Sequence, residues 1–503
     1  MNARKGVNGR PVARRALLRA SAASSATLLA CGARTPLEEL EAGSAGRGGS
    51  GGAGGEPGAA AEAGSAGADA AGGASGAADP ADLPEDVVTF PIGVIAGAMR
   101  SDSVVLFTYA TVGETLTVQV YRRRGGAIEL AAERALDPSN EGYIEVRVEG
   151  LRPGSDYEYA FLRAERNARS AIGRVKTAYG EGDDRPLLLG ATACTYYGYQ
   201  PFLTLSALAE QPIDAFLQMG DMSYNDGSLS LGDYRAAWRS TLSDVGYRTL
   251  LPKVGSYFTW DDHEVTNDFD PEAMALTNPS RLAAAKQSYF ETLPIGRTVN
   301  EGLWQRFRWG STAEIFVLDC RSERLPSTRL IAAPTYISRA QMDWFKQGLR
   351  ESTAHYKVVM NSVPFVHFEQ PPVWAPESDR WEGYAAQREE ILDFIARERI
   401  NVWFITGGFH IGTVHRISRM GRDRSLWEVS VGGAAQATRD WGLFQPGGEV
   451  RREMHFPSEQ FAHVEPTNSC TTFEFDPSRD GVRVRFISAS SAVLFDRILT
   501  RAG

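Results

Sequence analysis

The stretch Trp260-Asp261-Asp262-His263-Glu264-Val265-Thr266-Asn267-Asp268 constrains this chain more than any other. It pairs with Gly220-Asp221-Met222-Ser223-Tyr224 about forty residues earlier. Each follows a short apolar run, Ala215 to Met219 and Val254 to Thr259, of the kind that forms a buried strand. Open α/β sheets bind ligands at the carboxyl ends of their strands. Two such loops carrying Asp, Tyr, Asp-Asp and His bring several hard ligands to one place, which is the construction of a two-metal hydrolase.

A length of 503 residues allows two or three domains, and a hydrophobic fraction of 43% supplies their cores. The formal net charge of −9 leaves no basic excess to neutralise phosphates, so sequence-specific nucleic acid is not an expected partner. Four cysteines make no disulfide scaffold. Cys320 and Cys470 could pair in an oxidising compartment or remain two buried thiols, and spacing does not decide.

Residues 1–31 read as an export signal. Arg14-Arg15 precede Ala16-Leu17-Leu18 and a modest apolar stretch, a twin-arginine pattern, and Leu28-Leu29-Ala30-Cys31-Gly32 resembles a lipoprotein cleavage site with Cys31 lipidated. A plain signal peptide in which Cys31 is incidental is the alternative, and both lead out of the cytoplasm. Residues 32–84 form a Gly/Ala/Ser tether with too little apolar surface to offset its ordering entropy. The expected location is periplasmic or at the cell surface, anchored to membrane through Cys31, with a monomeric body.

Residues 85–180 show short alternating runs such as Ser103 to Tyr109, Leu116 to Tyr121 and Tyr143 to Val148, separated by turn formers. That pattern predicts a small all-β, fibronectin-like sandwich, with the stretch Gly150 to Tyr159 as its tyrosine corner. From 181 to 503 strands alternate with helices, predicting an α/β (α+β) sandwich of mixed sheets flanked by helices. Helices are expected at about 233–242, 280–293, 339–351 and 382–398, and closing strands at 471–501.

Polar residues recur just past the apolar runs: Cys194, Asp221 with Tyr224, Asp262 with His263, Asp319 with Arg321, Asn361 and His410. One alone means little, since a lone His or Cys at a strand end is usually a satisfied core residue. Six in one domain are hard to explain as packing. Asp221 has two oxygens with which to bridge two cations. Tyr224 as a phenolate and Cys194 as a thiolate suit a transition metal, while Asp262 suits a second ion. His263 is placed to give a proton to a leaving group. His415 reads as structural, and Trp374, Trp381 and Tyr384 either line a pocket mouth or pack a surface loop.

The combination of Thr192-Ala193-Cys194, Gly220 to Tyr224, Trp260 to Glu264 and Asp319-Cys320-Arg321 resembles the alkaline phosphatase D family of metallophosphoesterases. The resemblance runs from about Phe90 to the C-terminus. It implies a phosphate mono- or diesterase with a binuclear Fe(III)/Ca(II) site, zinc or manganese being alternatives for the second ion, and a metal-bound hydroxide as nucleophile. Cys194, Asp221 and Tyr224 would be ligands on the iron side with Asp221 bridging, Asp262 and Asn361 on the calcium side, and His410 a further metal ligand, with Arg321 and His263 contacting phosphate. The family's last motif is Gly-Asp-x-His, whereas this chain has Gly407-Gly408-Phe409-His410, so one anionic ligand is missing. Glu323 stands where an aromatic residue is common and would alter the charge near phosphate. The competing expectation is a surface-tethered binding or structural protein on a phosphatase scaffold with an impaired site.

Overall fold

The computed structural model describes residues 79–124, 127–137, 141–372, 376–436 and 442–501. The export signal, Cys31 and all but the last residues of the tether lie outside them. Residues 79–84, expected to end the tether, are already pinned: Asp79 caps a short turn at Pro80–Asp82 and pairs with Arg123 at 2.6 Å. No helix among the described residues is long and apolar enough to cross a membrane.

The first strands are β1 (Val94–Gly97), β2 (Ser103–Tyr109), β3 (Leu116–Arg124), β4 (Ala127–Leu136), β5 (Tyr143–Glu149), β6 (Asp156–Leu162) and β7 (Gly173–Lys176). β4-β3-β6-β7 form one antiparallel sheet, and β1-β2-β5 form the second layer. Their inward residues, among them Val104, Leu106, Val118, Val120 and Phe161, belong to one apolar core. The Arg152 N–H donates to the Tyr157 hydroxyl at 2.8 Å, so Tyr157 closes the expected corner.

The remaining strands are β8 (Leu187–Thr195), β9 (Ala215–Met219), β10 (Ser256–Thr259), β11 (Gln305–Trp309), β12 (Ala313–Val317), β13 (Tyr356–Asn361), β14 (Val402–Thr406), β15 (Gly412–Arg416), β16 (Trp427–Ser430), β17 (Gly433–Ala435), β18 (Phe461–Glu465), β19 (Ser469–Asp476), β20 (Gly481–Ser488) and β21 (Val493–Thr500). A ten-stranded sheet runs β21-β20-β19-β8-β9-β10-β1-β2-β5, with β17 beside β8. The second sheet has seven strands, in the order β11-β12-β13-β14-β16-β15-β18. The β1-β2-β5 layer is therefore continuous with the large sheet, joined where Gly97 pairs with Ser256.

β8, β9 and β10 are parallel, as are β12, β13, β14 and β16, so their carboxyl ends share one edge. β9, β10, β12 and β14 are buried at every position, as strands covered on both faces must be. Residues of both sheets, such as Leu189, Leu217, Ile315 and Met360, meet in one core. At the shared edge Gly407 allows the two sheets to touch: a Cβ there would lie 2.4 Å from the Met219 carbonyl oxygen.

The longer helices, Leu231–Leu242, Pro279–Thr292, Arg339–Glu351 and Ala385–Glu398, fall within a few residues of expectation. Ser230 and Asp233 form a capping box on the first, and Ser338 caps the third. Cys320 and Cys470 are both free buried thiols. Cys320 donates to Asn361 Oδ1 at 2.9 Å, and Cys470 faces the Ile487 carbonyl at 3.5 Å. Trp381 and Tyr384 are fully buried against Tyr336, which excludes them from a pocket mouth; Trp374 lies outside the described residues.

Candidate metal centre

The shared edge carries an unusual backbone. Cys194 at the end of β8, Asp221 just past β9 and His410 past β14 have φ of 55°, 54° and 60°. Non-glycine residues rarely adopt this left-handed region, and such strain persists where surrounding structure enforces it, most often at functional sites. Main-chain bonds do the enforcing: Cys194 N–H donates to the Gly220 carbonyl at 3.2 Å and Thr195 N–H to the Asp221 carbonyl at 3.0 Å.

The same three side chains converge. Cys194, Asp221 and His410 each offer a ligand atom, all within 4.8 Å of one another. Cys194 Sγ lies 3.3 Å and His410 Nε2 4.0 Å from Asp221 Oδ2. The Tyr224 hydroxyl approaches the same oxygen at 3.4 Å and accepts a bond from Gln436 Nε2 at 2.7 Å. Asp221, Asp262 and His263 form a second group within the same 4.8 Å limit. Asp221 thus belongs to both groups, and its Oδ1 is buried without a hydrogen-bond partner.

The second group is held by side-chain bonds. His263 Nδ1 is 2.9 Å from both oxygens of Asp226, and the Tyr224 and His263 rings are 4.0 Å apart. The Asp268 N–H donates to Asp262 Oδ2. Glu264 accepts from the Met222 and Asp261 N–H groups at 2.6 and 2.9 Å, tying the two loops together. Arg321 Nε donates to Asp261 Oδ1 at 2.5 Å, its Nη1 and Nη2 reach Asp379 at 2.6 and 3.1 Å, and Asp262 lies 3.8 Å away. Arg324 also reaches Asp379, at 2.6 Å.

The electrostatics describe a site rich in buried negative charge. Burial pushes Asp262 and Asp261 above the usual carboxylate range despite Arg321, and neighbouring carboxylates add to the rise. Burial and then Asp221 push Glu264 up to about 8. Burial, followed by Asp221 and Asp261, raises the Cys194 thiol. Asp221 itself is held below its ordinary value, because His263 and His410 overcome the opposing effect of burial. Added positive charge would reverse most of these penalties.

Of the residues singled out from sequence, Cys194, Asp221, Tyr224, Asp262, His263 and His410 come together. Asn361 does not join them in its hydrogen bonds: its amide engages Cys320, Val363 and Trp381, inside the wall. Arg321 is at the site, but its donors are directed at carboxylates and it is only 3% exposed. Asp319 accepts from the Trp260 indole at 2.9 Å and brackets the Arg321 turn. Glu323 points away from the centre, accepting from Trp304, Ser338 and Gln341. His415 is structural, bound to Glu428 at 2.9 Å.

Asp226, Asp379 and Gln436 are not among the residues the sequence singles out, and Asp261 enters there only as half of the Asp-Asp pair. Asp226 follows Tyr224 by two positions, so a helper for His263 lay in plain sight. Asp379 ends a short 3-10 turn and Gln436 follows β17, both far along the chain and without a spacing signal. Three tyrosines also stand beside the centre. Tyr196 packs edge-on against Tyr224 at 5.1 Å, with Tyr197 and Tyr199 exposed beside it.

A sulfur, a phenol, an imidazole and shared carboxylates, with one buried carboxylate oxygen unpartnered, fit a pair of cations of unlike softness. Two mixed sheets with this cluster at their common carboxyl edge define the metallophosphoesterase class of fold. The chain belongs to the PhoD-like phosphatase family, whose profile matches residues 189–460, while the N-terminal domain profile of that family matches residues 76–179. It is 27% identical over 384 residues to alkaline phosphatase D of Bacillus subtilis (strain 168), spanning 64% of this chain and 64% of that protein's length. A solved structure of PhoD superposes with a TM-score of 0.68 at 20% identity, covering 82% of this chain and 89% of the other. A purple acid phosphatase from yellow lupin (Lupinus luteus) seeds gives 0.55 at 11% identity, covering 81% and 73%. These two likenesses establish the fold.

Proposed function

We propose that the protein is a metal-dependent phosphoesterase that hydrolyses phosphate mono- or diesters. The observation that carries this reading is Asp221, one buried carboxylate shared by two ligand groups and left with an unpartnered oxygen. Cys194, Tyr224 and His410 with Asp221 would hold the softer ion, for which Fe(III) is the choice because a phenolate needs a strong Lewis acid. Asp262 with Asp221 would hold the harder one, Ca(II) by resemblance, with zinc or manganese as alternatives. Cations held there supply Lewis acidity toward the phosphoryl group and make water more acidic.

The chain's own residues do the rest. Asp226 engages His263 Nδ1 and fixes the ring, so proton exchange with the leaving-group oxygen falls to Nε2. Arg321 contacts phosphate in this reading by giving up part of its pairing with Asp379, whose side chain keeps 27% of its exposure. The β8–β9 turns exclude bulk water from Asp221, which is 2% exposed.

Export is part of the proposal. Arg14-Arg15 and Cys31 support secretion through the twin-arginine route and lipid anchoring outside the cytoplasm, with the Gly-rich tether as spacer and a monomeric enzyme at its end. A twin-arginine route carries folded proteins already loaded with metal. Gly408 favours a second reading, a tethered binding protein on an impaired site.

Metal content and phosphate release, measured together on protein from an exporting host, separate the two. About one iron and one or two calcium ions per chain, a visible tyrosinate–iron band and turnover of p-nitrophenyl phosphate or its bis ester are expected. Colourless, metal-free protein without turnover would leave the binding reading.

A further inference from the structure

Gly408 looks like a gap in the ligand set, but the space beside it is filled. Its φ is +65°, and a Cβ built on it would lie 2.7 Å from Asp261 Oδ2 and 2.9 Å from the Ser362 carbonyl oxygen. The Asp261 carboxylate, arriving from the loop after β10 in the opposite sheet, therefore stands where a side chain at 408 would begin. His410 follows Gly408 by two positions, and the Asp221 and Asp262 carboxylates both act on the Asp261 carboxylate, so this space lies near both ligand groups. Asp261 is 2% exposed and firmly placed: its N–H donates to Glu264 at 2.9 Å and its Oδ1 accepts from Arg321 at 2.5 Å. Across the site, the buried Oδ1 of Asp221 has no partner.

We propose that Asp261 supplies, from the β10 loop, the carboxylate that position 408 lacks, its Oδ2 completing the ligand set for the harder cation beside Asp221 and Asp262. The proposal rests on the metal-centre reading above. Asp261 and Gly408 are then a reciprocal pair. Any side chain at 408 displaces the carboxylate, and the carboxylate in place requires glycine. Left-handed backbone is not the obstacle, because Asp tolerates that region better than most residues. Three carboxylates against one guanidinium, itself shared with Asp379, also leave the anionic excess that a hard cation demands.

The pair makes a prediction opposite to simple repair. If position 408 were merely defective, Gly408→Asp would restore an acid and tighten binding. If Asp261 has taken over, Gly408→Asp drives two carboxyl groups into one space and weakens it. The test is Ca2+ titration and bound-metal analysis of the full-length chain and three variants, with near-UV circular dichroism confirming folding. Asp261→Asn, which preserves shape, is expected to keep its transition metal and lose at least about tenfold in Ca2+ affinity. Gly408→Asp is also expected to bind Ca2+ more weakly, and Asp261→Gly/Gly408→Asp to recover most of the loss. Unchanged Ca2+ affinity in Asp261→Asn, with weaker binding of inorganic phosphate, would overturn the proposal and leave Asp261 as a positioning residue for Arg321. Tighter Ca2+ binding by Gly408→Asp alone would overturn it too. Wild-type protein that binds no cation would remove the metal-centre reading itself, a distinguishable result.

Discussion

The two ligand groups that share Asp221 are built by different means. Cys194, Asp221 and His410 all sit in left-handed backbone, and main-chain bonds between strand ends hold the first two. Asp262 and His263 sit in ordinary backbone and are oriented by other side chains: Asp226, Glu264 and, through Asp261, Arg321 with Asp379. One group is fixed by strain in the fold and the other by a polar network. Losses should therefore appear differently. Changes in the first group should remove metal and spare stability, whereas changes in the network should fall on stability or on the orientation of His263.

The residue common to both groups tests the comparison hardest. Asp221→Asn is expected to lose both cations and to lower phosphate release by about a thousandfold or more, roughly 4 kcal/mol. A variant that kept one ion at full occupancy would show that the groups are separate sites. Next comes Asp379→Asn, which leaves Arg324 buried without its carboxylate and Arg321 with Asp261 as its close partner, and is expected to cost about 3 kcal/mol in denaturant unfolding. Arg321 and Arg324 overcome burial and hold the Asp379 carboxyl well below its ordinary value. Its contribution is accordingly complete above the ordinary carboxylate range and is lost as pH falls through the depressed pKa. The gap between wild type and variant should therefore close in acid, and a gap that widened there would refute the assignment.

Asp226→Asn should lower turnover about tenfold while metal content stays at the wild-type level, because it orients His263 without entering the ligand set. The smallest effect is expected where strain is released. Cys194→Gly removes the sulfur ligand but also relieves a positive φ worth about 1 kcal/mol, so its melting temperature should remain close to wild type while its transition metal disappears. A large drop in stability would mean that the first group, too, is held by its side chains.

The sequence made one half of this arrangement more legible than the other. Strand-end positions for Cys194, Asp221, Asp262 and His410 follow from apolar runs that stop at a polar residue, a local signal. The helices expected at about 339–351 and 233–242 form close to those bounds, at Arg339–Glu351 and Leu231–Leu242, where Ser338 and Ser230 cap them. The network was hidden because its partners are remote: Arg321 meets Asp261 across 60 positions and Asp379 across 58. Asn361 is the reverse case, a polar residue at the expected strand end whose amide is bonded within the wall. Gly408 was visible as a missing acid, but the carboxylate beside it appears only when the β10 and β14 loops are brought together.

Because β1 pairs with β10, the small sandwich also acts as a border to the large sheet. A fragment beginning at residue 181 would expose one side of β10 as an open edge, and bare edges recruit foreign strands. The turn from Trp260 to His263 hangs from the end of that strand, and Tyr257 on it donates its hydroxyl hydrogen to the Met99 carbonyl at 2.8 Å. Trimming the enzyme to its chemistry-bearing half would thus remove the buttress beneath one wall of the metal centre. Useful truncations should begin before Asp79 and leave residues 79–180 attached.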